Sequence, residues 1–330
     1  MKKYGGRSKF ECKEYNPKLP ELAMLLESYN LGIASFDSNL IKKLKEELKE
    51  AIIKSKNVFS VFEKNKLIGL CFVKRLEWDT NFFGYNCACV DFCFCSPAHP
   101  KDRASTYSLL ADCLIKWLRS NDIKFGYAKI DVRDHILISS LENMGFKVIE
   151  EVSSFYFNFK KMRELARPEG SFRIANSSDI HHLQEIAPQS TFNRFVKDKM
   201  FSEKEVRRFR GEWVKNLVNG SSNFVILSMD GEIISGFNAC EIDKENNIGR
   251  IKLIVVDKKY IGSGNGKRLV NKSIWEFKKL GVDYLFVSTQ SDNVAACSLY
   301  PKCGFENAPA MITLHYWSQQ EKDKKSMKIV

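Results

Sequence analysis

The residue types and spacings that bear on chemistry lie between Val255 and Phe305. The run Val255-Val256-Asp257-Lys258-Lys259-Tyr260-Ile261-Gly262-Ser263-Gly264-Asn265-Gly266-Lys267 leads from an apolar strand into a turn in which Gly262, Gly264 and Gly266 alternate. Glycine at those places removes side chains where backbone must approach a ligand closely. Val270, Ile274 and Phe277 share one face of the helix that follows, and Gly281 stops it. A turn at a helix N-terminus offers free N–H groups and the positive end of the helix dipole, which suits a pyrophosphate. Lys267 and Arg268 put positive charge where the dipole disfavours it, which makes sense if an anion sits there. A Walker loop is excluded, because Ile261 and Arg268 occupy its two defining ends. A dinucleotide fingerprint fits poorly, because the third glycine comes one residue early. The plainer alternative is a surface turn that happens to be rich in glycine.

The second piece is Asn293-Val294-Ala295-Ala296-Cys297-Ser298-Leu299-Tyr300-Pro301-Lys302-Cys303-Gly304-Phe305. Before it, Asp283 to Gln290 reads as a strand rich in aromatic and β-branched residues. Asn293 caps the next helix and Gly304 ends it. Ala296 is small enough to admit a ligand, and Tyr300 lies one turn on. Taken alone, Tyr300 reads as a half-buried helix tyrosine. In this order the two pieces describe a pocket for a phosphate-bearing cofactor with a phenol over its reactive end.

These segments resemble the GNAT superfamily of acyl-CoA N-acyltransferases. Gly264 and Gly266 match the family's pyrophosphate turn, Arg/Gln-x-x-Gly-x-Gly/Ala. Asn293, Ala296, Leu299, Tyr300, Gly304 and Phe305 match its second motif, Asn-x-x-Ala-x-x-Leu-Tyr-x-x-x-Gly-Phe. Ile261 departs from the pattern, standing where Arg or Gln is usual. The resemblance implies acetyl-CoA as cosubstrate, held by Ile261, Gly262, Ser263, Gly264, Asn265, Gly266 and Lys267 at its diphosphate. It implies backbone groups of Val255, Val256 and Asp257 on the pantetheine amide and acyl carbonyl, with Asn293 and Ala296 completing the cofactor site. Strands ending near Val256 and Val287 would splay to admit the pantetheine. An amine would attack the thioester directly, with Tyr300 as general acid; a phenol is protonated at neutral pH and can donate. Glu241 is the nearest candidate base by strand order, but it reads more simply as a solvated carboxylate.

The chain has 330 residues, enough for two domains, and a net charge of +12 from 52 Lys and Arg against 40 Asp and Glu. That excess suits anionic ligands such as CoA or nucleotide-linked sugars. The basic residues are dispersed and no nucleic-acid-reading motif occurs, so nucleic acid is not an expected partner. No signal peptide or transmembrane run is visible, which points to the cytoplasm and to ten free thiols. Cys87, Cys89, Cys93 and Cys95 invite a zinc site. They all share one face of a strand about 26 Å long, too far apart to converge on one ion, and read as small apolar residues. The five histidines form no ligand set, so no metal is expected.

The expected fold class is α+β, with two GNAT-like domains, each a mixed, mostly antiparallel sheet flanked by helices. The expected organisation is a degenerate GNAT-like domain over 1–160, a linker over 161–172, a catalytic GNAT domain over 173–318 and a basic tail over 319–330. Strands Val58–Glu63, Leu67–Val73, Cys87–Cys95 and Ala128–Val132 in the first half repeat the plan of Phe224–Met229, Ile233–Ile242, Ile248–Val256 and Asp283–Gln290 in the second. The first half lacks alternating glycines before its helix and has Leu141 in the place of Tyr300. It reads as a support for the second half that also walls the substrate site.

Two outer segments, Trp78-Asp79-Thr80-Asn81-Phe82-Phe83-Gly84 and the stretch from Asn193-Arg194-Phe195 to Trp213-Val214-Lys215-Asn216, are similar to segments of tandem GNAT proteins that acetylate a nucleotide-linked amino sugar. That likeness implies such a sugar as acceptor. Arg194 would pair with its phosphate, and Phe195 would pack on sugar or base. Core packing of a helix pair is the alternative for both. A GNAT enzyme for another primary amine, or a non-catalytic CoA-binding scaffold, are the other readings. Exposed strand edges in this fold would allow a homodimer.

Overall fold

The computed structural model describes residues 3–4, 10–15, 17–29, 38–97, 100–161 and 167–319. The chain forms two compact units, Met1–Glu151 with Ala310–Val330, and Val152–Pro309.

The first unit carries β1 (Lys3–Tyr4), β2 (Phe10–Glu14), α1 (Leu19–Glu27), α2 (Ser38–Lys54), β3 (Val58–Glu63), β4 (Lys66–Arg75), α3 (Glu77–Phe83), β5 (Cys87–Cys95), α4 (Arg103–Ser120), β6 (Phe125–Asp131), α5 (His135–Asn143) and the start of β7 (Lys147–Asn158). The second carries the rest of β7, then β8 (Ser171–Ile174), α6 (Ile180–Ile186), α7 (Arg194–Lys197), α8 (Glu203–Asn216), β9 (Phe224–Asp230), β10 (Ile233–Asp243), β11 (Ile248–Val256), α9 (Asn265–Lys279), β12 (Tyr284–Gln290), α10 (Val294–Lys302) and the start of β13 (Glu306–Trp317).

Each unit borrows a strand from the other half of the sequence. In the first, the order is β1-β2-β3-β4-β5-β6-β13, with Met311 to Trp317 of β13 antiparallel to β6. In the second, it is β7-β12-β11-β10-β9-β8, with Val152 to Asn158 of β7 antiparallel to β12. The units therefore divide inside β7 and near the start of β13, not at the 161–172 segment. Of that segment, 162–166 lie outside the described residues and β8 already starts at Ser171. Nearly all of the tail over 319–330 also lies outside them.

The sheet of the second unit is buried on both faces, and period-2 alternation sorts its side chains. Ile226, Cys240 and Ile251 pack against Leu269, Ile274 and Phe277 of α9, whereas Val225, Leu227, Phe237, Ala239 and Leu253 pack under α6 and α8. The two units repeat this plan in register. Each has one parallel pair of strands, β5 with β6 and β11 with β12. Each has an extra residue on the longer strand of that pair, Asp91 and Lys252, opposite the steps Phe72/Val73 and Ala239/Cys240.

That bulge corrects the reading of the cysteines. An extra residue at Asp91 flips the alternation. Cys93 and Cys95 join Ala88 and Val90 on the α4 side, and Cys87 and Cys89 fall on the opposite face. One further expectation shifts. The strand expected from Ala128 starts at Phe125, and Trp78 to Phe83 lie in the short helix α3, ended by left-handed Gly84. Among the described residues, no helix is long and apolar enough to cross a membrane, and no three His, Cys, Asp or Glu side chains gather as metal ligands.

Candidate active site

Strand pairing in the second unit leaves a gap. β11 and β12 pair from Ile248↔Tyr284 to Ile251↔Val287 and then part, although β11 runs on to Val256 and β12 to Gln290. The N–H of Asp257 donates to the carbonyl of Ser235 at 3.0 Å, while Val256 faces Gly236. That pattern makes Val256 and Gly236 a wide antiparallel pair, so the N–H and C=O of Val256 turn away from β10 and into the gap. Ile254, two residues back, turns the same way. Gly236 is required here: a Cβ would lie 2.8 Å from the carbonyl oxygen of Val255 and 3.1 Å from Cα of Val256.

Beyond β11 the chain makes a short turn at Lys258–Tyr260, capped by the Asp257 side chain accepting from the Lys259 N–H at 2.9 Å. Gly262 and Gly264 have φ of +86° and +82°, conformations that suit glycine. Among the described residues, no backbone carbonyl takes the N–H of Gly262, Gly264, Asn265, Gly266 or Lys267; the last three open α9, where no carbonyl lies four residues back within the helix. Gly266 leaves space beside Leu299 and Val256, the nearest atoms a Cβ would meet, at 3.4 and 3.9 Å. Arg268 folds back on this turn. Its guanidinium donates to the Ser263 carbonyl at 3.2 Å and to Oδ1 of Asn265. Ser228 also reaches that oxygen, at 3.4 Å, so a buried polar base lies under the loop. Ile261 is 72% exposed and Lys267 is exposed on the outer side.

α10 forms the other wall. Asn293 caps it, accepting from the Ala296 N–H at 3.3 Å and donating to Thr289 at 3.0 Å. Tyr300 is 1% exposed, its ring 5.3 Å from Phe155 and 5.7 Å from Phe305. Among the described residues no partner takes its hydroxyl, which is not one of the fully enclosed polar atoms. Burial first, and then Cys297 and Cys303, push its pKa well above the ordinary phenol value. The group is a neutral proton donor at any pH near neutrality.

Helices α6 to α8 reach both loops at the mouth. Oε1 of Gln189 accepts the Lys258 N–H at 2.8 Å, and Lys197 pairs with Asp292 at 2.6 Å. Asn193 caps α7, and buried Arg210 donates to the Phe192 carbonyl at 3.0 Å. Phe195 is buried against Phe201 and Phe209, with centroids at 4.8 and 4.5 Å; its ring packs α7 onto α8 and offers no face to a ligand. Arg194 lies on the same turn with its guanidinium 4.7 Å from the Phe195 centroid. Glu241 pairs with Lys252 at 3.1 Å in a half-exposed ion pair.

An extended ligand with amide groups can complete the open edge of β11 as a strand would. An anionic group at its far end would meet the N–H groups that open α9. Residues 181–305 match the acetyltransferase (GNAT) family. This segment resembles a GNAT domain. N-alpha-acetyltransferase 30 of Homo sapiens is 33% identical over 82 residues, which make up 24% of this chain and 23% of that protein. The chain thus spans less than a quarter of that relative. Among solved structures, a GCN5-related N-acetyltransferase from Sphaerobacter thermophilus is similar at 14% identity and a TM-score of 0.62, over 94% of this chain and 96% of that one. A tandem GNAT protein from the clavulanic acid biosynthesis pathway is similar at 13% identity and a TM-score of 0.52, over 93% and 98%. At such identities the likeness is one of fold, and it covers both units: two GNAT-like domains, each a mixed sheet flanked by helices.

In the second unit, Gly266 at the start of α9 lies beside Val256 and Leu299, and Asn293 and Tyr300 stand at the cap and on the body of α10. Sequence reading missed Ile254, whose direction follows from the hydrogen-bond phase of β11, and Gly236, which sets that phase. It also took Arg268 as a charge for a ligand, whereas its fork is already engaged by the loop.

Proposed function

We propose that the protein is an acyl-CoA-dependent N-acetyltransferase whose second unit carries the reaction. The observation that supports this reading is the unpaired main chain of Ile254 and Val256 facing a gap between β11 and β12, next to the free N–H groups that open α9, with Tyr300 on the helix that follows β12. Acetyl-CoA, when bound, supplies a thioester-activated acetyl group. The N–H groups of Gly262, Gly264, Asn265, Gly266 and Lys267 would hold its diphosphate. Ile254 and Val256 would hold the pantetheine amides, and Ala296 and Gly266 leave it room. The acceptor amine attacks the acetyl carbon; a C–N bond forms and the C–S bond breaks. Tyr300 gives its proton to the departing sulfur and regains one from solvent, and the amine proton passes to water.

The acceptor is a primary amine on an anionic carrier, and a nucleotide-linked amino sugar fits best. Arg194, Lys197, Lys199 and Lys258 stand on the segments around the mouth, and the outer segments are similar to those of bacterial TDP-fucosamine acetyltransferase. A peptide N-terminal amine is the second reading, favoured by the 82-residue likeness to N-alpha-acetyltransferase 30. A thiol-release assay with acetyl-CoA, run across nucleotide-linked amino sugars, peptides and simple amines, tests both. Release with the sugar series supports the first reading and release with peptides alone the second. Acetyl-CoA binding without release from any amine would leave a non-catalytic scaffold.

A further inference from the structure

The register repeat allows the two clefts to be compared position by position. Asp134 caps α5 by accepting the Leu137 N–H, as Asn293 caps α10 with the Ala296 N–H. The Ile123 N–H closes the end of α4 on the Leu118 carbonyl, as the Val282 N–H closes α9 on Phe277. Gly69 faces Cys95 as Gly236 faces Val256, and the Ser96 N–H donates to Ile68 as that of Asp257 donates to Ser235. Cys95 therefore turns its N–H into the first unit's gap, where β5 and β6 part after Val90↔Ala128.

Counted from either helix landmark, Asp134 against Asn293 or Ile123 against Val282, the position of Gly266 belongs to Tyr107. Tyr107 is fully buried, and its hydroxyl lies in the gap. It accepts the Cys95 N–H at 3.3 Å and donates to Oδ2 of Asp134 at 2.5 Å. Arg103, in the place of Gly262, pairs with the other oxygen of Asp134 at 3.1 Å. α4 starts at Arg103, so the stretch that forms a glycine turn in the second unit is wound into helix here. The main-chain donor that would serve a pantetheine amide already has a partner, and the space above it holds a ring.

We propose that Tyr107 is an internal occupant of the first unit's cleft, so that the chain takes up one acyl-CoA, in the second unit only. The stoichiometry rests on the function proposed above; the closure of the first cleft does not. The test is hydrogen exchange read by mass spectrometry on the full chain, with and without acetyl-CoA, alongside titration calorimetry. For the wild type we expect about one acetyl-CoA per chain and slowed exchange over 254–268, with none over 93–107. Gly266→Tyr places the same ring in the second cleft and should weaken binding by about a hundredfold or more, with melting still cooperative. Without ligand, the segment holding Cys95 should exchange slowly in the wild type and about tenfold faster in Tyr107→Phe, which cannot hydrogen-bond.

Two acetyl-CoA per chain, or ligand-slowed exchange over 93–107, would overturn the proposal. So would ligand-free exchange at Cys95 that Tyr107→Phe leaves unchanged. If the wild type binds no acetyl-CoA, the acetyltransferase reading of the second unit falls, and the ligand-free comparison still decides whether Tyr107 closes the first cleft.

Discussion

The ring of Tyr300 leans on that of Phe155 at 5.3 Å, so a residue of the borrowed strand β7 holds the phenol in place. Burial there keeps the phenol protonated and gives it one orientation. Tyr300→Phe keeps the packing and removes the proton. We expect kcat to fall by about a hundredfold or more, KM for acetyl-CoA to stay within about twofold and Tm within about 2 °C, because no protein partner loses a bond. The pKa of Tyr300 is raised, so its acid form persists far above neutrality. A kcat profile of the wild type should show no alkaline loss attributable to this group below about pH 10. A steep alkaline fall near the ordinary phenol value that disappears in Tyr300→Phe would contradict the raised pKa, and a Tyr300→Phe variant with unchanged kcat would contradict the assignment.

Gly236 sets the hydrogen-bond phase that turns Val256 outward. Gly236→Ala drives a Cβ against the Val255 carbonyl oxygen at 2.8 Å, a backbone atom that can move only with its strand. The expected result is a loss of about 1–3 kcal/mol in stability, read by urea denaturation. KM for acetyl-CoA should rise at least several-fold, because the displaced main chain is the edge proposed to bind it. Gly249→Ala is the control: its Cβ would meet the Phe277 ring at 2.6 Å, away from the gap. It should destabilise comparably and leave KM unchanged in the folded fraction.

What the sequence showed and what it hid follow from the physics of each feature. The turn at Gly262 to Gly266 was legible because positive φ and close backbone approach demand one residue type. The cap at Asn293 was legible for a similar reason, since few side chains satisfy a helix N-terminus. The bulges at Asp91 and Lys252 were not, because an extra strand residue has no fixed identity; missing the first put four cysteines on one face instead of two. The exchange of β7 and β13 was hidden because strand partners far apart in sequence leave no local mark. Arg268 and Phe195 carried the right chemistry for ligand contact, but side-chain direction decides between ligand and protein, and spacing alone does not give it.

Lys197 of α7 pairs at 2.6 Å with Asp292 in the loop between β12 and α10, joining that loop to the helices proposed to face the acceptor. The pair is partly solvated, so its contribution to stability is small, about 0.2–1 kcal/mol. Its larger effect is on where α7 sits over the mouth. Lys197→Met and Asp292→Asn should each raise KM for the acceptor several-fold while leaving KM for acetyl-CoA unchanged. The charge-swapped double variant Lys197→Asp with Asp292→Lys should recover part of the loss. Steady-state kinetics in both substrates reads this directly, and single-variant losses that simply add in the double variant would mean the two residues act independently.

Asp179 makes stability depend on acid in a defined direction. Its carboxylate accepts two bonds from Arg173, both at 2.7 Å, and one from the Asn176 N–H at 2.9 Å. The Arg173 bonds are the main cause that holds its pKa below the ordinary carboxylate value of 3.8. A depressed folded pKa means that the folded state binds the proton less readily than the unfolded chain. The contribution is therefore complete above about pH 4 and is lost as pH falls through the lower, folded value. Arg173 is 41% exposed, so we take about 1–2 kcal/mol for the set, below the buried limit for charge-assisted bonds. At pH 7 Asp179→Asn should lower Tm by about 3–6 °C. The gap between wild type and variant should narrow progressively below pH 4, as protonation removes from the wild type what the substitution has already removed. Melting curves from pH 7 to pH 2.5 measure it, and a gap that stays constant to the lowest pH would assign the stabilisation to packing of the side chain and not to its charge.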